Sequence, residues 1–511
     1  MSDNPIDVVV IGSGFGGSVV SARLAEAGVN VVLLERGPWW DTVPTRSFGI
    51  KDRTPFPRGR DLLTRFVRSV NSRWLPNGRV TLSHRGLFEF YYYPGIQVMC
   101  SSGVGGGSQI YSGLHRRPSA EDYWNGRVAG LSEENMRPHG EAFLARMKST
   151  VPGPDNAPPN RTSDIFGNNP YLEPTPPDPL VKMGFLFPKD PKNPQKIVDE
   201  HGIERFEIDY RQDDNGMFGS PSGAKTTLDV SYLAPAMKKG LKVRDLCEAL
   251  SVTQMKNSGA RYRVEIRDHR RKRNFSLLAD NVVLAAGTMN TLRILLHSRS
   301  QRDGLNDMPN LGRNFGGNGD MRSRWNTFND GVRYIDRRAG MPARGGIVLR
   351  DAPLPKVSIY FSFTPNIDSF PFPRWYIERI RKRANIVGMG PDAMDGVVSL
   401  ENGKFHVDFN PNNSPIYAKI RETMIEMGRL IGQKTTVKDI PATVHPMGGA
   451  CLGDEASGGV VDANGEVYGN PGLFVADAAA LPAPVGGPPT QTIATWAENV
   501  AFRFLERRGL V

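Results

Sequence analysis

The stretch DVVVIGSGFGGSVVSARLAEAGVNVVLLE, from Asp7 to Glu35, decides the fold of this 511-residue chain. An apolar run leads into GSGFGG, and a helical pattern that Gly28 ends is followed by a second apolar run and an acid. Strand, glycine turn, helix, strand and acid in this order predict a dinucleotide-binding βαβ unit. A glycine motif alone also occurs in plain α/β turns, but here every neighbouring element is present. We therefore predict an α/β fold with a Rossmann-like domain.

Each part of this unit has a physical task. Gly12 permits the tight turn, Gly14 lets the backbone approach a pyrophosphate, and Gly17 lets the helix pack close to the strand. The helix N-terminus offers free N–H groups and the positive end of a dipole to phosphate. Glu35 follows Gly12 by 23 positions, where a carboxylate binds the ribose hydroxyls.

Composition excludes several classes of protein. The length exceeds that of a single-core domain, so two closely joined domains are expected. No apolar run reaches the roughly 18 residues of a membrane span, and no signal peptide pattern precedes the first strand, which favours a cytoplasmic location. Cys100, Cys247 and Cys451 lack the spacing of metal ligands, so we expect free thiols and no metal site.

The net charge of +11 favours anionic partners or a membrane surface only moderately. Its local peaks are Arg270–Arg273, expected at a solvated hairpin tip, and Arg379–Arg383. Neither peak is accompanied by a nucleic-acid-binding module, so we expect no nucleic-acid partner.

Two segments are expected to cover the dinucleotide. Residues 36–90 are irregular apart from one predicted helix from Arg60 to Val70, and a long segment of this kind is usually functional or a covering flap. Residues 103–108 form a glycine strip, GVGGGS, in which adjacent glycines allow close backbone approach to a flat or charged ligand. A flexible loop is the alternative for this strip.

The pattern changes between residues 300 and 440. The alternating segments Lys356–Phe363 and Lys404–Phe409 predict antiparallel strands, and residues 415–431 predict a helix. An aromatic stretch, residues 370–377, is either a lid or membrane-touching segment or, as is commoner, a helix packed on its aromatic side. Asn281–Leu296 instead forms another strand–glycine–helix junction, whose strand is buried on both faces as in a parallel sheet.

Among eight histidines, His445 is distinguished by its surroundings. A single histidine is usually structural. Here Pro446 fixes the neighbouring backbone, Gly448 and Gly449 leave space, and the chain then returns to the dinucleotide domain through a short strand that ends at Asp477. These features favour an active-site histidine.

The chain resembles the glucose–methanol–choline (GMC) flavin oxidoreductases, and within them the bacterial cholesterol oxidase branch. The resemblance rests on six motifs spread over the whole chain: GSGFGG with Glu35, GVGGGS at 103–108, SGAKTTLDVSYL at 222–233, VVLAAGTMNT at 282–291, HPMGGACLG at 445–453, and GLFVADAAALPAPVGGPPTQTIATWAEN at 472–499. Residues 300–440 are only loosely similar.

The resemblance implies FAD as the bound dinucleotide. It implies an FAD-binding domain from residues 1–45, 90–120, 222–310 and 440–511, and a substrate domain on an antiparallel sheet from residues 46–89, 121–221 and 311–439. The resemblance places His445 near the substrate hydroxyl. The residues that it implies at the cofactor are Gly12, Gly14, Phe15, Gly17, Glu35, Gly103, Gly106, Gly107, Ser108, Val252 (adenine, through its backbone), Asp477 (ribityl or phosphate), Pro488 and Thr490.

Three departures from the family pattern affect the expected chemistry. Many members have a second active-site His or Asn where this chain has Pro488-Pro489, and Thr490 or Gln491 is a weak substitute. Steroid isomerisation needs an acid that the segment Ser358-Ile359-Tyr360 lacks, which argues against cholesterol as substrate. The segment GSQIYS has no histidine to tether the flavin, so non-covalent FAD is expected.

The predicted function is oxidation of an alcohol by hydride transfer to FAD, with His445 orienting or deprotonating the hydroxyl. The substrate is expected to be bulky and partly apolar, and dioxygen or another acceptor reoxidises the flavin. Peripheral membrane contact is compatible with the sequence. The alternatives are a lyase or alkene-reducing enzyme of the same fold, and a dinucleotide-binding protein without catalysis.

Overall fold

The computed structural model describes residues 6–153, 155–156, 161–175, 181–211, 216–256, 259–325, 343–352, 357, 359–363, 371–381 and 383–511. The α-helices in these residues are α1 (Phe15–Glu26), α2 (Val43–Ser47), α3 (Leu62–Arg65), α4 (Glu133–Arg146), α5 (Thr162–Phe166), α6 (Ala234–Met237), α7 (Thr288–Arg299), α8 (Arg374–Arg381), α9 (Pro415–Leu430) and α10 (Thr490–Glu506).

The strands, numbered in chain order, form three larger sheets and several pairs. The Rossmann-like sheet has the order β12 (Lys242–Arg244), β2 (Val31–Leu34), β1 (Ile6–Ile11), β15 (Arg273–Leu284), β14 (Tyr262–Asp268) and β13 (Cys247–Gln254), and β26 (Leu473–Val475) also pairs with β15. The antiparallel sheet has the order β23 (Thr435–Val437), β17 (Met321–Trp325), β20 (Ala384–Gly388), β19 (Ile359–Phe363), β18 (Ala343–Leu349) and β8 (Leu172–Pro174).

The third sheet has the order β24 (Ala442–Thr443), β6 (Gln97–Ser101), β5 (Phe88–Tyr92), β3 (Val67–Asn71) and β4 (Arg79–Thr81). The remaining pairs are β7 (Leu114–His115) with β9 (Lys182–Met183), β10 (Lys196–Val198) with β11 (Glu204–Phe206), β16 (Phe315–Gly316) with β25 (Met447–Gly448), and β21 (Val397–Glu401) with β22 (Lys404–Asp408).

The centre of the Rossmann-like sheet is the predicted βαβ unit. Strand β1 pairs in parallel with β2 and β15, and β15 pairs in parallel with β26. Helix α1 packs on β1 and β2, and α10 packs on α1, so the valines of β1 (Val8–Val10) are fully buried. The carboxyl ends of these parallel strands lie at one edge, which is where open α/β sheets bind ligands.

The second sheet is antiparallel at every pairing, from β23 to β8. Together with the Rossmann-like sheet it confirms the predicted fold class. The predicted strand Lys356–Phe363 is observed as β19, and residues 356 and 358 lie outside the described residues. The predicted strand Lys404–Phe409 is observed as β22, but it pairs only with β21 in a separate hairpin.

The helix predicted from Arg60 to Val70 is wrong in most of its length. Only Leu62–Arg65 is α-helical, and residues 67–71 form β3. The reason is tertiary pairing, since β3 lies between β4 and β5, where Arg68, Ser69 and Asn71 are buried. Leu62 and Phe66 pack in a small apolar cluster with Trp40, Phe56 and Phe88.

The division into domains stays a prediction, and the third sheet bears on it. The strands of the Rossmann-like sheet all come from the segments assigned to the FAD-binding domain. The third sheet takes strands from both sides of residue 90, and this residue lies inside β5. A boundary at that residue therefore divides a hydrogen-bonded sheet. Within the described residues, no helix has the length and apolar character needed to cross a membrane.

Candidate active site

A cleft of about 1320 Å³ is lined by residues of all three larger sheets. We call the wall that includes Gly12–Gly16, Glu35, Arg79 and Cys247–Leu250 the nucleotide half. The wall formed by the antiparallel sheet, α8 and His445 is called the substrate half. The predicted site residues fall into three groups: those that line the cleft, those that lie behind its wall, and one that lies elsewhere.

The glycine turn has the geometry that its residues predict. Gly12 has a φ of +98°, and a Cβ atom there would lie 2.3 Å from the carbonyl oxygen of Ala285. A Cβ on Gly17 would lie 1.8 Å from the carbonyl oxygen of Gly12, so only glycine allows α1 to approach β1 this closely. A Cβ on Gly14 would meet nothing within 4 Å, because this residue presents bare backbone to the cleft, beside Phe15.

Glu35 lines the cleft and also ties its loops together. Its Oε2 accepts hydrogen bonds from the amide (3.1 Å) and the hydroxyl (2.6 Å) of Ser13. Its Oε1 accepts hydrogen bonds from the amides of Gly37 (2.8 Å) and Gly103 (3.3 Å). The carboxylate thereby joins the glycine turn after β1 to the glycine strip at residues 103–108.

The glycine strip divides into a front and a back. Gly106 and Gly107 line the cleft. Gly103 lies behind the wall, where it holds Glu35. Ser108 also lies behind the wall, where its hydroxyl donates to the carbonyl of Gly105 (2.7 Å) and accepts from the amide of Leu228 (3.1 Å). The backbone of the strip is thereby fixed from behind while its glycines stay open in front.

Asp477 joins the ends of β15 and β26. One carboxylate oxygen accepts hydrogen bonds from the amide of Gly287 (2.8 Å) and the hydroxyl of Thr291 (2.6 Å), and the other accepts from the amide of Ala479 (2.9 Å). Burial raises the pKa of Asp477 to about 6 in spite of these donors. The residue lines the cleft, so the structure brings it to the same wall as Gly12 and Glu35.

Pro488 and Thr490 also line the cleft, at the beginning of α10. The Thr490 hydroxyl donates to the carbonyl of Leu114 (2.9 Å). Gln491 is buried and does not belong to the described lining of the cleft. Neither side chain offers the cleft a free donor in place of the family's second His or Asn.

Val252 is the one predicted residue that the structure does not bring to the cleft. It is fully buried in β13, and its amide donates to the hydroxyl of Ser298 (2.9 Å). Cys247–Leu250, at the beginning of the same strand, line the cleft instead. The first residue of the strand at the cleft, Cys247, lies five positions before Val252.

His445 lies at the wall of the cleft with 18 % of its side chain exposed. Its Nδ1 lies 2.9 Å from a carboxylate oxygen of Asp320, which is itself buried. That oxygen also accepts hydrogen bonds from the Thr443 hydroxyl (2.9 Å) and the Val444 amide (3.1 Å). A carboxylate that accepts from Nδ1–H fixes the tautomer and leaves Nε2 as the ring nitrogen available to a substrate.

Asp320 belongs to a glycine-rich loop, residues 316–320, that the sequence analysis did not single out. Asn318, two residues earlier, is fully buried and binds the last turn of the cleft, accepting from the Gly486 amide and donating to the Gly487 carbonyl (both 2.8 Å). One loop thus positions both His445 and the turn that carries Pro488. Its signal in the sequence is the pair of polar residues set among glycines, GGNGD.

A buried charge network borders the nucleotide half. Glu89 accepts hydrogen bonds from Arg36 (2.7 Å) and Ser69 (2.7 Å) and forms an ion pair with Arg79 (3.3 Å). Glu248 pairs with Arg79 (3.0 Å) and with the fully buried Arg68 (3.2 Å). Arg36, Arg68 and Arg79 therefore have carboxylate partners.

The residues present fit a dinucleotide. Bare backbone at Gly14, Gly107 and Gly287 faces the cleft, and a Cβ at Gly14 or Gly287 would meet no protein atom within 4 Å. The beginnings of α1 and α10 both line the cleft, and free N–H groups at helix beginnings bind anionic groups. A phosphate-bearing ligand with a flat ring system is what such a wall accommodates.

Models of known families match the chain in three places. A model described as FAD binding domain matches residues 5–55, and the amino- and carboxy-terminal models described as GMC oxidoreductase match residues 200–317 and 417–497. The chain belongs to the GMC oxidoreductase family. This GMC oxidoreductase is accordingly an FAD-dependent enzyme, as the sequence motifs predict.

Individual relatives resemble the protein over nearly its whole length. A cholesterol oxidase from Mycobacterium tuberculosis is 25% identical, and the alignment covers 97% of this chain and 90% of the relative. A long-chain-alcohol oxidase from Arabidopsis thaliana is 21% identical, with 98% and 67% covered. A solved structure of a pyridoxine 4-oxidase shares the fold, with a TM-score of 0.59, 16% identity, and 98% and 99% covered.

The position of helix α8 bears on the two interpretations of the aromatic stretch. Phe372, Tyr376 and Ile380 line the cleft of the GMC oxidoreductase, whereas Trp375 is 68% exposed. Phe370 lies outside the described residues. The helix therefore turns one side towards the cleft and leaves its tryptophan in solvent, an arrangement that favours a lid over a helix packed wholly on its aromatic side.

Proposed function

We propose that the protein oxidises an alcohol to a carbonyl compound, with His445 as the base that orients or deprotonates the hydroxyl. FAD, when bound, supplies the hydride acceptor. Removal of the hydroxyl proton makes the carbon a better hydride donor, and a histidine within hydrogen-bond reach is suited to that step. Two relatives are named for alcohols that they oxidise, which supports the same reaction class here.

The observation that carries the proposal is the His445–Asp320 pair. Asp320 holds Nδ1 and leaves Nε2 for the cleft, so the proton of the hydroxyl has a defined acceptor. The buried carboxylate also stabilises the imidazolium that forms when the proton arrives. Asp320 is a positioning residue in this scheme, because it acts through His445.

For the cofactor, we propose that bare backbone and buried acids share the binding. Gly12, Gly14 and Phe15 would bind the pyrophosphate, Glu35 the ribose, and Asp477 the ribityl region. Gly106, Gly107, Pro488 and Thr490 would line the flavin, while Gly17, Gly103 and Ser108 support the wall from behind. Ala249 or Leu250, which line the cleft, would replace Val252 at the adenine.

Non-covalent FAD remains part of the proposal. His115 is the histidine nearest to the glycine strip in sequence, and its Nδ1 is hydrogen-bonded to the Ser149 hydroxyl (2.6 Å). It is buried and does not belong to the described lining of the cleft. Dioxygen or another acceptor would reoxidise the flavin, and the apolar residues of the cleft suit a bulky, partly apolar alcohol.

The test is the visible absorption spectrum of the purified holoenzyme, recorded anaerobically before and after addition of sterols, aryl alcohols, fatty alcohols and sugars. We expect one class to bleach the flavin bands, and readmission of air then separates an oxidase from a dehydrogenase. In His445→Ala the rate of bleaching should fall roughly 100- to 10,000-fold with unchanged flavin content. In Asp320→Asn the fall should be smaller and should depend on pH.

A yellow protein that turns over substrate without bleaching would contradict the proposal and favour a lyase. A variant His445→Ala that bleaches at the parental rate would remove the histidine from the chemistry. A parental protein that takes up no FAD would contradict the cofactor assignment itself.

A further inference from the structure

The substrate half of the cleft has a cationic face that the proposed alcohol oxidation does not use. In β17, Met321, Ser323 and Trp325 are buried, while Arg322 and Arg324 alternate with them and are exposed on the side of the cleft. Alternation places these two arginines on the same face of the sheet, about 7 Å apart along the strand.

Strand register fixes the neighbours of both arginines. Arg322 lies opposite Val387, and Val387 lies opposite Tyr360 in the next strand. Arg324 lies between Asn385 on β20 and Thr436 on β23. All four of these neighbours line the cleft. The arginines are therefore part of a continuous wall and do not project from its rim.

Two further cations line the same wall: Arg383, immediately before β20, and Lys438, immediately after β23. Among the residues that the structure describes, the acids that line the cleft are Glu35, Glu248 and Asp477, and all three belong to the nucleotide half. No described carboxylate oxygen lies within 4.0 Å of a charged nitrogen of these four cations. The substrate half therefore carries positive charge that no described carboxylate contacts, and the buried Asp320, which attracts Arg322, offsets only part of it.

The cationic face begins beside the proposed base. Asp320, which holds His445, directly precedes β17, so Arg322 follows it by two residues and Arg324 by four. At the rise of an extended strand, these separations are about 7 and 13 Å. A ligand with its hydroxyl at His445 and a body of moderate length would bring its far end to the arginines.

The cleft also has a set of apolar lining residues. Phe66, Ile110, Met217, Phe218, Phe372 and Ile380 line the cleft. A neutral lipid would match these residues but would leave the arginine row desolvated without a partner, which is costly. A purely polar anion such as a sugar acid would match the arginines but not the apolar residues.

We propose that the alcohol substrate is amphipathic and anionic, with an apolar body and an acidic group that Arg322 and Arg324 bind. This inference rests on the proposed function of the same site. A guanidinium presents a planar pair of donors to a carboxylate, sulfate or phosphate, and bonds of this kind are stronger than neutral hydrogen bonds. Arg383 and Lys438 add long-range attraction for the anion.

The experiment compares matched pairs of alcohols on the holoenzyme. One pair is omega-hydroxydodecanoate and dodecanol, and the other is 4-(hydroxymethyl)benzoate and benzyl alcohol. We expect kcat/KM to be at least tenfold higher for the acid than for the neutral alcohol of one pair, and this preference should weaken as salt is added. A higher kcat/KM for both neutral alcohols would overturn the proposal.

Charge removal identifies the residues. In the double variant Arg322→Gln/Arg324→Gln, the preference for the acid should fall at least tenfold, mainly through KM. Arg263→Gln, which removes an exposed strand arginine outside the described lining of the cleft, is the matched control and should keep the preference. An equal loss for acid and neutral alcohol in the double variant would overturn the assignment.

A binding measurement separates this inference from the proposed function. Dodecanoate carries the acid but no alcohol, so its calorimetric dissociation constant reports the arginines without turnover. If no alcohol bleaches the flavin while dodecanoate binds and the double variant binds it at least tenfold more weakly, alcohol oxidation fails and anion recognition stands. If alcohols bleach the flavin but dodecanoate binds parent and double variant equally, anion recognition fails and alcohol oxidation stands.

Discussion

The two halves of the cleft are built on different principles. In the nucleotide half, backbone at Gly12, Gly14 and Gly107 forms the wall, and neighbouring arginines are paired with buried carboxylates such as Glu89. In the substrate half, strand side chains form the wall, and Arg322 and Arg324 form no close ion pair with a described carboxylate, although the buried Asp320 attracts Arg322.

This difference suggests separate roles: the nucleotide half holds the cofactor, and the substrate half determines which substrate binds. A wall of backbone and internally paired charge is complete within the protein, so it binds one unvarying cofactor and resists substitution. A wall of side chains without internal partners has to be completed by its ligand, so it sets which ligand binds. We expect substitutions in the nucleotide half to affect folding and flavin content, and those in the substrate half to affect the choice of substrate.

The largest expected effect is that of Gly12→Ala. The new Cβ would lie 2.3 Å from a carbonyl oxygen, at a backbone φ of +98° that only glycine adopts easily. Strain and overpacking together should lower the free energy of unfolding by about 3 kcal/mol or more. Urea unfolding measures the loss of stability, and the flavin content of the purified protein measures the loss of cofactor binding.

Gly14→Ala is the matched variant for Gly12→Ala. Its Cβ would project into the cleft and meet no protein atom within 4 Å. We expect normal stability of the protein freed of flavin, but FAD affinity lower by about tenfold or more. Equal loss of stability in the two variants would show that Gly14 is structural and that the open backbone has no part in binding.

Glu89→Gln tests whether the nucleotide half depends on paired charge. Glu89 is fully buried, and its neutral replacement would leave Arg36 and Arg79 short of compensating charge. Breaking a buried pair in this way typically costs about 3–5 kcal/mol, which urea unfolding detects. Glu426→Gln is the control, because Glu426 pairs with Arg429 on the surface of α9.

The lowered pKa of Glu89 predicts how the stability of the protein depends on pH. Burial alone would raise the pKa of Glu89, but Arg36 and Arg79 hold it well below its ordinary range. The folded protein therefore keeps this carboxylate ionised at a pH at which the unfolded chain has already protonated it. The stabilisation is complete above the unfolded pKa, near 4.3, and is lost as the pH falls below it. Glu89→Gln should show a shallower loss of stability in acid, and an unchanged acid slope would contradict this origin.

The sequence predicts the nucleotide half better than the substrate half, because the glycine turn and the acid of the nucleotide half lie close together in sequence. The turn at Gly12 and the acid Glu35 belong to one continuous unit, whose spacing follows from strand and helix geometry. Asp320 and Arg324 lie beside residues more than a hundred positions away, His445 and Thr436 respectively. The local pattern GGNGD marks the loop of Asp320 but does not show these partners. The position of Val252 away from the described lining has the same cause, since only the pairing of the strand shows which of its residues reach the cleft.

Within the substrate half, two adjacent aromatic residues of α8, Trp375 and Tyr376, differ in their exposure. Tyr376 lines the cleft, whereas Trp375 is mostly exposed. If α8 is a lid, Tyr376→Ala should raise KM for a bulky alcohol several-fold and Trp375→Ala should leave it unchanged. Steady-state kinetics with air-saturated holoenzyme measures both. A larger effect of Trp375→Ala on vesicle-bound substrate alone would instead favour the membrane-touching interpretation.

The smallest expected effect compares two threonines at the beginning of α10. The Thr490 hydroxyl donates to the carbonyl of Leu114, whereas the buried Thr492 hydroxyl has no hydrogen-bond partner among the described residues. Thr490→Val should therefore lower the free energy of unfolding by about 1 kcal/mol. Thr492→Val removes a polar group that is already unsatisfied and should be neutral or slightly stabilising in the flavin-free protein. If Thr492→Val instead destabilises only the holoenzyme, the nucleotide half depends on a side chain as well as on backbone, and the contrast between the two halves is weaker than we propose.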